Sequence, residues 1–179
     1  MLTVYTTGDG NTYGAADGVL LALLVSEYIT DRTEQDVARW KKLRDKGWEN
    51  MTAEERSEWM GEMKGCYGHT DMNRVESAVE VLSARLCELG YLYHPTTKTD
   101  WKRGDSPTRA DFERYLGNVE NIRKQMKVYS DTPEAPTIGN KLNWSRANDI
   151  EKILRDIEKL TDSIVQNMCF AGEIFAGEV

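Results

Sequence analysis

Histidine is almost missing from this chain, with two in 179 residues, and cysteine is scarce, with three. The thiols Cys66, Cys87 and Cys169 are scattered and odd in number, which argues against a disulfide framework and fits a reducing compartment. A basic surplus is also lacking. Thirty acids against 23 Lys plus Arg leave a net charge of −7, the wrong sign for a phosphate-tracking surface, so nucleic acid is not expected as a direct partner. No apolar run is long enough to span a bilayer. The leading one, "VLLALLVSEYI" behind "GAADG", is short and has no basic flank, so neither a signal peptide nor a membrane helix is expected.

Two histidines and no coherent acid–base set give catalysis little to work with, and no catalytic residue is expected. "CYGHTD" does bring Cys66, His69 and Asp71 together, but such catalytic groups normally meet through the fold, and Asp71 is better used near a helix N-terminus. A zinc site from Cys66, His69, Cys87 and His94 fails on distance. Along one helix, Cys87 would stand about 25 Å from His69, while ligands of one zinc ion lie about 2.0 to 2.3 Å from it. The glycines of "TTGDGNTYGAADG" have the wrong spacing for a dinucleotide fingerprint, and Asp9 would repel a phosphate; a hairpin-like loop is expected. No cofactor and no metal are expected.

What the chain does contain is an internal repeat. "TDMNRVESAVEVLSARL" (70–86) aligns with "ADFERYLGNVENIRKQM" at an offset of 40 and with "SRANDIEKILRDIEKLT" at an offset of 75. The apolar positions Met72, Val75, Val79, Leu82 and Leu86 follow helical spacing. So do Phe112, Tyr115, Val119, Ile122 and Met126, and then Ala147, Ile150, Leu154, Ile157 and Leu160. Three amphipathic helices are predicted, over 70–89, 108–127 and 145–166, opened by Thr70, Thr108 and Ser145 as caps. Their polar faces, Arg74 and Glu76 included, are expected to face water and to tolerate alanine.

All four prolines fall between the copies, in "YLYHPTTKTDWKRGDSP" and "YSDTPEAPTIGNKLNW", which predicts extended connectors. Two copies are preceded by Trp-x-Arg, at Trp101 and Trp144, so these tryptophans are expected at equivalent points of the repeat and, with the tail, as partner-binding residues. Upstream, Thr33 with Asp36 and Thr52 with Glu55 stand in capping-box register, and Gly47 and Gly65 are expected to close those two helices. "LTVYTT" alternates like a strand; the leucine-rich run after Gly18 is a helix or a buried strand.

The chain closes on "FAGEIFAGEV". A five-residue period gives neither a helix nor a strand one apolar stripe, and Gly172 and Gly177 argue against helix beyond about Met168. An extended tail with Phe170, Ile174, Phe175 and Val179 as contacts is expected to be covered by "LTVYTT" of the same or a neighbouring subunit, or by another protein through strand addition.

The phrases "DRTEQDVARWKKLRDKGWENMTAEERSEWMGEMKGCYGHTDMNRVE", "KTDWKRGDSPTRADFERYLGNVENIR" and "ANDIEKILRDIEKL", with the terminal Gly-Glu-Ile-aromatic-Ala-Gly-Glu, cover about residues 30 to 179. In that order they resemble virion structural proteins encoded in the tail regions of bacteriophages and prophages of Gram-positive, often gut, bacteria. The resemblance implies a particle component near the tail tip, baseplate or fibres, assembled in the bacterial cytoplasm. Its partners would be other phage tail proteins and further copies of itself. The Asp-x-Asn-Arg-Val/Ile-Glu phrase, here Asp71, Asn73, Arg74, Val75 and Glu76, is by this resemblance a structural helix signature.

The expected fold class is mainly α: repeated amphipathic helices joined by extended proline-containing linkers, with short β segments at both ends. Its parts are an N-terminal segment (1–29), a helical domain (30–168) and a docking tail (169–179). The expected function is a non-enzymatic tail component. The alternatives are an adaptor that binds a host-surface glycan or receptor, with Tyr91, Tyr93 and Trp101 as its face, and an acidic regulator of a host enzyme.

Overall fold

The computed structural model describes residues 28–172 other than 62 and 140, together with two short strands, β1 (Tyr5–Thr6) and β2 (Thr12–Tyr13). The strands pair antiparallel, Tyr5 with Tyr13 and Thr6 with Thr12; the expected glycine-rich loop between them and the leucine-rich run after Gly18 lie outside the described residues. Among the described residues everything else that is regular is helical: α1 (Glu34–Lys46), a 3-10 turn (Trp48–Asn50), α2 (Ala53–Met60), α3 (His69–Glu88), α4 (Arg109–Arg123) and α5 (Trp144–Gly172).

Local chemistry explains most boundaries. Reciprocal capping boxes open α1 through Thr33 and Asp36, α2 through Thr52 and Glu55, and α4 through Thr108 and Asp111. At α3 the expected cap, Thr70, lies inside the helix, and the Asp71 carboxylate instead accepts the Gly68 N–H. At α5 Asn143 takes the place expected of Ser145, accepting the Arg146 N–H at 2.9 Å; asparagine caps at least as well as serine. Gly47 closes α1 with φ of 76°, a conformation that favours glycine. Gly61, not Gly65, closes α2. Gly65 has another reason to be glycine: a Cβ there would stand 2.0 Å from the Asp36 carbonyl oxygen, so the loop after α2 lies directly on the start of α1.

The core is made by α3, α4 and α5. Val75, Val79, Val119, Ile122, Ile150 and Leu154, the positions the repeat marks as apolar, are all essentially inaccessible. They form one cluster with Leu82, Leu86, Tyr115, Ile153 and Ile157. Helix α4 ends at Arg123, one turn short of expectation, and Met126 packs on the cluster from beyond it. In the third copy the buried position belongs to Thr161 rather than Leu160; its hydroxyl donates back to a carbonyl one turn earlier, which makes it acceptable inside.

Helices α3 and α5 run parallel. Arg74 meets Glu151 and Arg85 meets Asp162, pairs with the same sequence separation of 77. The connectors on either side of α4 are long and, among the described residues, hold turns but no helix or strand; Leu92 there is 89 % exposed.

The C-terminal expectation needs correction. Helix α5 continues four residues past Met168, through Cys169 and Phe170 to Gly172, so the first Phe-Ala-Gly lies on a helix and not in an extended tail. One glycine in a helix costs only about 1 kcal/mol relative to alanine, which the rest of the helix outweighs. Ile174, Phe175 and Val179 lie outside the described residues.

Candidate functional site

The polar face of α3 is buried. Asn73 holds the backbone of Trp101 by both its amide atoms, accepting the Trp101 N–H at 2.8 Å and donating to the Trp101 carbonyl at 2.9 Å. One turn on, Glu76 accepts the Lys98 N–H at 2.9 Å and the Trp101 indole N–H at 3.3 Å. The extended strap Lys98–Trp101 is thus clamped across the helix by an Asn and a Glu three residues apart, a spacing that places both on one face.

Helix α5 repeats this arrangement. Asn148 accepts the Arg32 N–H at 3.0 Å and donates to its carbonyl at 2.9 Å; Glu151 accepts the Ile29 N–H at 2.6 Å and the Arg32 guanidinium at 2.6 Å. The offset of 75 that aligns the helices carries Asn73 onto Asn148 and Glu76 onto Glu151. The straps correspond as well: Ile-Thr-Asp-Arg (29–32) and Lys-Thr-Asp-Trp (98–101). Each is followed by a backbone N–H, of Thr33 or Lys102, held by an aspartate three residues on, Asp36 or Asp105.

Each clamp glutamate is closed off by an arginine from a neighbouring helix. Arg114 of α4 reaches Glu76 at 2.6 Å, and Arg74 of α3 reaches Glu151 at 2.9 Å. The offset of 40 carries Arg74 onto Arg114, so α4 meets α3 as α3 meets α5. Glu76 is 1 % exposed and Glu151 0 %, and the carboxylates survive there because every oxygen is partnered by N–H groups or guanidinium. Asp71 completes the α5 site, paired with both Arg32 and Arg74. Burial would lower the Arg74 pKa, yet the hydrogen bond and charge of Glu151 outweigh it and hold the guanidinium more firmly protonated than usual.

Beneath this site the hydroxyls of Tyr67 and Tyr115 meet at 2.5 Å, and the Arg32 guanidinium lies over the Tyr67 ring. Burial pushes both phenols above their ordinary range, so they remain neutral. All these groups hold backbone or one another.

The expected contact tryptophans differ from each other. Trp101 is 4 % exposed, with Lys98 over its ring at 3.8 Å, whereas Trp144 is the first residue of α5 and 37 % exposed. They are therefore not equivalent points: the counterpart of Trp101 is Arg32. Tyr91 and Tyr93 are half-buried on the core, and the Tyr93 hydroxyl donates to the Asn118 carbonyl; burial pushes its pKa up to about 12. Trp40 and Trp59 stack across α1 and α2 with ring centroids 6.1 Å apart.

The Cys87 sulfur lies 3.9 Å from His94 Nδ1, and among the described residues no group of three His, Cys, Asp or Glu is placed to hold a metal ion. Burial pushes the Cys66 thiol up. No described helix is long and apolar enough to cross a membrane.

Arg74 and Glu76 are the residues that sequence reasoning placed wrongly, on a solvated face. The available signal was the Asn-x-x-Glu shared by the first and third copies at matching positions. No family model matches the chain, and no curated protein or solved structure matches it significantly.

Proposed function

We propose that this chain is a non-enzymatic structural component of a phage particle, associated with the tail tip, baseplate or fibres, and that it works by packing against copies of itself and neighbouring tail proteins. The observation that supports this most is how its ionisable residues are used. Arg32, Asp71, Arg74, Glu76, Arg114 and Glu151 are spent on fixing two straps to a helical core. The glycan-binding alternative needs an open aromatic face, and the burial of Trp101 leaves a sugar nothing to stack on there.

Mass analysis of purified virions tests the reading. The chain is expected in stoichiometric amount with the tail proteins, and particles made without it should lack an attached tail structure. Absence from purified particles would end this proposal.

A further inference from the structure

Among the described residues, two of the three related helices carry a strap and the third carries none. On α4 Leu116 stands at the place of Glu76 and Glu151, and on α5 Asp149 stands at the place of Arg74 and Arg114, so the acid and the arginine that would close it are replaced together. At Leu116 the surface opens instead into an apolar hollow of about 320 Å³, lined by Phe112, Leu116, Ile138, Leu142 and Arg109.

The lining defines the occupant. An incoming segment finds neither a clamp glutamate for its N–H groups nor a clamp asparagine, since Glu113 stands at that place. It must be held by apolar side chains, and the space suits one or two large ones. Residues 173–179, Glu-Ile-Phe-Ala-Gly-Glu-Val, supply Ile174, Phe175 and Val179 for this, with Glu173 and Glu178 for a rim that carries Arg109. Arg109 is shared with Glu113 at 2.8 Å in an exposed pair, from which it can turn at little cost.

Reach decides which molecule supplies the segment. Leu142 directly precedes α5, so the hollow adjoins the start of that helix. From Trp144 to Gly172 the helix rises about 42 Å, and seven residues span at most about 25 Å. Residues 173–179 cannot return to their own hollow. The geometry points to a second copy: the segment 173–179 of one molecule fills the Leu116 hollow of the next, as the missing third strap. This rests on the assembly reading above. Because the contact joins unlike surfaces, it builds rings or filaments head to tail rather than a two-fold dimer.

Complementation tests it. One variant lacks residues 173–179; the other is the full chain with Arg109→Glu and Phe112→Ser, its fold checked by circular dichroism. In sedimentation the unaltered chain should associate and each variant alone should be monomeric. Their mixture should form a one-to-one dimer, one partner giving the hollow and the other the segment. A fluorescein-labelled peptide of residues 170–179 should bind the shortened chain and lose about 30-fold in affinity with Phe112→Ser. Should that variant unfold, Arg109→Glu alone, at a side chain 80 % exposed, should weaken the peptide several-fold. A monomeric unaltered chain, a mixture that stays monomeric, or peptide binding indifferent to these substitutions overturns the proposal. If the chain is nevertheless found in virions, the hollow is wrongly assigned and the assembly reading stands; a dimerising mixture with no chain in virions means the reverse.

Discussion

Glu76 shows what a residue's neighbours in sequence cannot reveal. It stands at the edge of the apolar stripe, four residues after Met72 and three before Val79, but for a glutamate a solvated position is the ordinary expectation. It is buried because the strap covering it comes from 22 residues away, at Lys98. Replacing it by alanine would strand the Lys98 N–H, the Trp101 indole N–H and Arg114, so Glu76→Ala is expected to cost about 3 kcal/mol in urea unfolding. Glu80→Ala, at an exposed acid one turn on, should stay within about 0.5 kcal/mol of the unaltered chain. Equal midpoints for the two would mean that the clamp contributes nothing. Glu158 behaves in the opposite sense. Burial and then the charge of Asp162 raise its pKa, against the pull of Arg85 and the nearby Tyr28 hydroxyl. The folded chain therefore binds this proton more readily than the unfolded one, and stability from this group falls as pH rises through the folded value. Glu158→Gln should be at least as stable as the unaltered chain at neutral pH, and the difference should shrink toward about pH 4, where both are uncharged. A difference that grows on acidification would reverse the assignment.

Elements were readable wherever their signals are local. The capping boxes at Thr33, Thr52 and Thr108 each lie within four residues, and each is formed as read. Thr108→Ala is expected to cost about 1 kcal/mol. The failures have longer-range causes. Asn143 outcompetes Ser145 as a cap because the connector delivers it there, and α5 outlasts its expected end because a helix end depends on more than the next glycine. Gly65 looks in sequence like a helix stop; its real constraint is the Asp36 carbonyl, 29 residues away. Gly65→Ala should therefore disturb the seating of α1 on the following loop, visible as loss of the Trp40–Trp59 stacking signal in near-UV circular dichroism. An unchanged spectrum would mean that the loop yields freely.

At the scale of the molecule, the repeat alignment located the core but not the arrangement built on it, because the straps match each other only in Thr-Asp and lie on opposite sides of α1 to α3 in the chain. That arrangement divides the chain unevenly. Fourteen buried side chains of α3 to α5 form one cluster with Trp101, whereas the α1–α2 unit buries only Leu43, with Met51 beside it, and is otherwise tied by the Trp40–Trp59 stack and exposed pairs such as Arg39 with Glu58. Little apolar burial means a low free energy of local opening. The strap that precedes α1 belongs to the other class: its Ile29 and Arg32 N–H groups are held by Glu151 and Asn148 on the core. Native-state hydrogen exchange should then show a break inside a few residues of sequence. Ile29 and Arg32, although in no helix, should exchange with the slow amides of α3 and α5, while the amides of α1 from Val37 onward should exchange at least about tenfold faster, a difference of about 1.4 kcal/mol. If α1 is as protected as the strap, the two open as one unit and the clamp is not what anchors this stretch; if the strap is as fast as α1, the Asn–Glu clamp does not hold in solution.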